Sequence, residues 1–132
     1  MRFSAYADQP EGSAGKMQRI MLIRHAEKHH DGSPDRSVAP DGAHAKHHLT
    51  VRGWQRAGAL VRYFAPVGGL PPGGPISTPR SIFASAATPK SPSLRAQHTV
   101  EPVAALLGIE INHDHADGEE GALVPVVLAA EG

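Results

Sequence analysis

The chain has 132 residues, balances 13 Lys plus Arg against 13 Asp plus Glu, and contains no Cys. That length fits one domain with a small core, and the zero net charge excludes a broad electrostatic pull toward nucleic acid or a membrane surface, so any anion-binding charge must be local. Disulfide and thiolate chemistry are excluded, and no apolar run approaches the ~20 residues of a membrane span, so a cytoplasmic protein without a membrane or nucleic-acid partner is expected.

Residues 1–17 are polar and lack the apolar centre of a signal peptide, which predicts a flexible tail ahead of one domain over 18–132. The run Ile20-Met21-Leu22-Ile23 predicts a buried first strand over 18–24. It closes on Arg24-His25 and continues as Ala26-Glu27-Lys28. Residues 28–48 hold five His and two Pro without apolar periodicity, which predicts a surface loop. Thr50 suits a helix N-cap, and Trp54, Ala57, Val61 and Phe64 recur behind it as one apolar face. Pro66 ends that helix, and 66–80 form a Pro- and Gly-rich loop. A second strand is predicted over 81–85 and a loop over 86–92.

Ser93 is a candidate cap for a helix running to Leu107 and closed by Gly108, with Val100, Val103 and Leu107 buried. Pro102 removes a backbone donor inside it, which predicts a kink or a start near Thr99. Residues 109–111 alternate as a short strand, and 118–130 predict a weak helix interrupted at Pro125. Strands alternating with helices give an α/β fold with parallel pairing and helices on both faces.

The Arg24-His25 pair carries the chemistry. Ligands of open α/β sheets bind at the carboxyl ends of strands, where this pair is expected. Arg presents a planar fork of donors that fits phosphate oxygens. A neutral imidazole can act as the nucleophile toward phosphorus. The stretch Leu22-Ile23-Arg24-His25-Ala26-Glu27 resembles the signature of the histidine phosphatase superfamily, the phosphoglycerate mutase-like proteins. Two further segments resemble that family in the same order. One is the helix Leu49-Thr50-Val51-Arg52-Gly53-Trp54-Gln55-Arg56-Ala57-Gly58-Ala59-Leu60. The other is Ile82-Phe83-Ala84-Ser85 followed, after a loop, by Arg95-Ala96-Gln97-His98-Thr99.

The resemblance implies a three-layer α/β/α sandwich with a mostly parallel sheet. It implies that His25 attacks phosphorus and becomes a phosphohistidine, that Arg24 and Arg95 clamp the phosphoryl oxygens, and that water completes hydrolysis without cofactor or metal. The substrate would be a phosphorylated small molecule or a phosphoprotein, and the Arg-His-Ala-Glu form is similar to the short branch acting on phosphohistidine. The family also places a second His at the end of a later strand. No His follows His115, so the expectation is a short form truncated at the C-terminus, with its last strand missing. The alternative is an impaired phosphate-binding relic or a regulatory module on the same fold.

Arg95 at a helix start is mismatched to the helix dipole, and a bound anion would relieve the mismatch. Glu27 is expected at the pocket rim, touching substrate or polarising water. Glu119 and Glu120 match the family's proton-donating Glu poorly. The cluster of His29, His30, His44, His47 and His48 invites a metal, but its spacing matches no known site, and no native metal is expected. His98, His113 and His115 are candidates to stand in for the second pocket His.

Overall fold

The computed structural model describes residues 19–130; the tail expected over 1–17 lies outside them. The elements run α1 (Val51–Phe64), β1 (Ile82–Phe83), α2 (Arg95–Leu107), β2 (Ile111–Asn112) and α3 (Glu120–Ala129), a mixed α/β arrangement.

Helix α1 starts where Thr50 predicts. Thr50 has extended backbone, and its hydroxyl accepts the Gly53 N–H at 3.1 Å, satisfying one of the donors a helix start leaves open. The helix buries Gly53, Ala57, Leu60 and Phe64, which adds Leu60 and Gly53 to the expected face and leaves Val61 and Trp54 half-buried. The close approach of Gly53 to the chain at Glu27 sets that rotation. Trp54 still docks its indole, donating Nε1–H to the Val38 carbonyl at 2.9 Å.

Strands β1 and β2 pair in parallel, Ile82 opposite Ile111 and Phe83 opposite Asn112. The ladder continues beyond the regular strands: Ala84 N–H donates to Asn112 O at 3.0 Å, and Ala86 N–H donates to His115 O at 2.8 Å. Helix α2 is the crossover between them, the connection that parallel strands need. It starts at Arg95, not near Thr99, and runs through Pro102. Burial of Thr99, Val103 and Ala104 grips the helix on both sides of the proline, so packing outweighs the lost backbone bond. Gly108 closes it in the left-handed region (φ 65°), and Ile109 N–H returns to Ala104 O at 3.0 Å.

The expected first strand is absent from the described residues. Over 19–24 only Met21 occupies a bridge position. The segment alternates instead: Met21 and Ile23 pack against the core of Leu60, Phe64, Ile82, Val103 and Ala104, whereas Leu22 is 72% exposed. A cleft of about 620 Å³, lined by both 19–23 and 81–85, accompanies the missing ladder between this segment and β1.

The His-rich stretch 28–48 is a loop folded back on itself, with antiparallel bridges Ser37–Thr50 and Val38–His44. Ser37, Leu49 and Thr50 are buried there. Helix α3 runs through Pro125 and buries no residue, leaving Val124, Val126 and Leu128 exposed. Pro125 removes only its own N–H bond, and the carbonyl of Glu119 holds the start by accepting from both Ala122 and Leu123.

Candidate functional site

The two residues Ala26 and Glu27 are where the three motif segments meet. Ala26 N–H donates to Thr99 Oγ1 at 2.8 Å, and the Thr99 hydroxyl donates onward to Arg95 O at 2.7 Å. Glu27 O accepts Thr50 N–H at 2.9 Å and the Thr50 hydroxyl at 3.3 Å. Gly53 lies directly over the Glu27 main chain, because a Cβ there would come within 2.5 Å of Glu27 O. Ala26, Thr50 and Thr99 are all essentially buried, so these bonds are shielded from water. The residues after Arg24-His25 are thus held from α1 on one side and α2 on the other.

This frame acts on His25. Its ring is half-buried, and Nδ1 lies 2.7 Å from the Ala26 carbonyl. A carbonyl only accepts, so Nδ1 carries the proton and the neutral ring keeps its lone pair on Nε2. Arg24 is exposed and makes no hydrogen bond or ion pair among the described residues. A fixed positive charge thus adjoins an imidazole whose free nitrogen can act as a nucleophile.

Glu27 and Arg95 are committed differently from the expected rim and clamp. Glu27 pairs with Arg56 of α1, whose Nε–H donates to Oε1 at 2.6 Å, while the second carboxylate oxygen is buried without a hydrogen-bond partner. The Arg95 guanidinium donates to Lys46 O at 2.6 Å, to His48 O at 3.2 Å and to Ser93 Oγ at 3.4 Å. Burial lowers its pKa from the ordinary value, and these oxygens stabilise the charge. Arg24 and Arg95 share no hydrogen-bond partner among the described residues.

The Glu27–Arg56 pair gives a pH prediction. The hydrogen bond from Arg56 is the main cause holding the Glu27 carboxyl below its usual value, against the opposing effect of burial. A depressed carboxylate contributes stability above its unfolded pKa and loses it as pH falls through the folded one. Melting temperature should therefore fall more steeply below about pH 4.5 in the parent chain than in Arg56→Gln. Parallel acid limbs in thermal melts of the two proteins would refute the coupling.

The remaining candidates separate. Glu119 accepts Ala116 N–H at 2.6 Å and Glu120 accepts Gly118 N–H at 3.0 Å, so both carboxylates close the turn before α3. His113 is exposed; His115 lines the 620 Å³ cleft with a buried Nδ1 that has no partner. His29 Nδ1 bonds to Asp35 O at 2.6 Å. No group of three or more metal-ligating side chains gathers among the described residues.

Sequence reasoning missed two features. Thr99 was placed in the motif but not recognised as the partner of Ala26; its signal is the four-residue spacing from Arg95 that lets the hydroxyl cap a helical carbonyl. The second is a contact between His48 and His98, 50 residues apart, with ring nitrogens at 3.1 Å. No family model, curated protein or solved structure matches this chain.

Proposed function

We propose that this chain is a histidine phosphatase-like α/β domain, of three-layer sandwich type, that hydrolyses a phosphomonoester or a phosphohistidine in the cytoplasm. His25 Nε2 would attack phosphorus in line with the leaving oxygen, and water would attack the resulting phosphohistidine. Arg24 would neutralise charge on the equatorial phosphoryl oxygens, where electrostatic stabilisation matters most. The observation that supports this reading is the convergence of the three motif segments on the main chain of Ala26 and Glu27. Residues that resemble one family in sequence share one structural task, which is to hold the main chain on either side of the Ala26 carbonyl that orients His25.

The test is direct. A labelled phosphodonor should leave acid-labile, base-stable label on the protein, and His25→Ala should reduce it to background. Label that survives the substitution would move the chemistry elsewhere. The engagement of Arg95 by backbone carbonyls favours a second reading, a phosphate-binding domain without turnover. That reading is distinguished by inorganic phosphate binding that depends on Arg24 while no label forms.

A further inference from the structure

We propose that His48 and His98 form an acid-opened latch that fastens segment 46–48 to the first turn of α2. This inference stands on the geometry of that contact and not on the phosphatase reading. Four interactions join the two parts. Leu94 N–H donates to His47 O at 3.1 Å, and Arg95 donates to the carbonyls of Lys46 and His48. His48 Nδ1 meets His98 Nε2 at 3.1 Å, with ring centroids 4.9 Å apart. Trp54 of α1 backs the pair, its ring centroid 4.6 Å from that of His98.

The proton inventory makes the contact a switch. His98 Nδ1 lies 3.1 Å from the Glu101 carboxylate, which can only accept, so Nδ1 carries a proton. Neutral His98 then offers a lone pair at Nε2, and His48 supplies the proton from Nδ1. One added proton settles on His98 beside Glu101, after which Nε2–H donates to a lone pair on His48. The contact survives in both states. A second proton leaves two N–H groups facing each other at 3.1 Å, on two cations, with no acceptor between them.

The surroundings resist that second proton. Burial first, then the positive neighbours His98, His47 and Arg95, hold His48 below its ordinary pKa, and Asp41 opposes them. Glu101 faces His98 from the same helix, while Trp54, the contact from α1, carries no charge. A histidine with a depressed pKa in the closed form favours closure fully above the open-form value of about 6.5. Closure is lost as pH falls from there through the lowered value. Opening withdraws two carbonyl acceptors from Arg95 and returns its donors to solvent or ligand.

Two-dimensional NMR of the full chain tests this. The His48 ring should titrate below the ordinary value of about 6.5. Hydrogen-exchange protection of the Leu94 amide should fall over the same interval, by about tenfold per pH unit relative to the Gly53 amide, which bonds to Thr50 away from the histidines. In His98→Gln that pH-dependent loss should vanish, whereas His30→Gln, an exposed control, should keep it. Should His98→Gln fail to fold, the parent titration decides alone. Titration of His48 at its ordinary value, or Leu94 protection that tracks Gly53 throughout, overturns the latch.

Discussion

Gly53→Ala should destabilise the protein by about 1–3 kcal/mol or more. Ordinarily the change would help, since Ala is favoured over Gly in a helix interior by about 1 kcal/mol. Here the added Cβ would meet Glu27 O at 2.5 Å, Leu49 Cβ at 3.0 Å and Glu27 N at 3.1 Å. Two of these are main-chain atoms of Glu27, whose carbonyl accepts from Thr50 and whose preceding residue is held by Thr99, so the main chain there cannot yield without straining buried bonds. Gly58, in the same helix, has nothing within 4 Å of its would-be Cβ. Gly58→Ala should therefore raise the melting temperature while Gly53→Ala lowers it. Equal shifts of the same sign in the two thermal melts would mean that α1 does not press on the Glu27 peptide.

Thr99→Val should cost about 1–3 kcal/mol, the penalty for stranding a buried donor. Valine reproduces the shape of threonine and removes only the hydroxyl. The Ala26 N–H then has no acceptor at a site where Thr99 is 1% exposed. Thr99→Ser keeps the hydroxyl and should recover most of the loss. The pair of variants separates hydrogen bonding from volume, with chemical denaturation as the readout. If Val is tolerated better than Ser, the methyl packs and the hydroxyl contributes little. The resonances of the His25 ring should shift in Thr99→Val and not in Thr99→Ser, because the ring takes its orientation from the next carbonyl.

The parts of the fold that were legible in the sequence are those governed by local chemistry. Thr50 caps α1 through its own hydroxyl, and Gly108 ends α2 through its own φ, so both boundaries follow from single residues. The pairing of β1 with β2 follows from the short stretch at 81–85 and the alternation at 109–111 separated by one helix, with β2 itself displaced to Ile111–Asn112. The first strand was misread because four consecutive apolar residues do not say how many faces are buried; Leu22 points outward. Pro102 misled because propensity carries no knowledge of what Thr99 and Val103 pack against.

At the candidate site, Arg24 and His25 stand out in the sequence as a pair because their side chains offer a fixed positive charge and an imidazole nitrogen. The positions of Arg95 and Glu27 were not. Arg95 is satisfied by main-chain carbonyls of Lys46 and His48, which every residue type offers alike and no motif records. Glu27 pairs through one carboxylate oxygen with Arg56, 29 residues away, a partner that no local spacing indicates.

The bonds that secure Ala26 and Glu27 also imply an order of assembly. The Thr50 hydroxyl reaches Glu27 across 23 residues, whereas Thr99 reaches Ala26 across 73. Loop-closure entropy scales with the logarithm of that separation, so the longer closure costs about 1 kcal/mol more. The α1 side of the frame is therefore the cheaper nucleus, and the α2 side closes on a peptide already half restrained. During synthesis the difference is absolute, since Thr99 leaves the ribosome long after Thr50. His25 consequently acquires its orientation at the last docking event, and the order of its ring reports that the crossover helix has arrived.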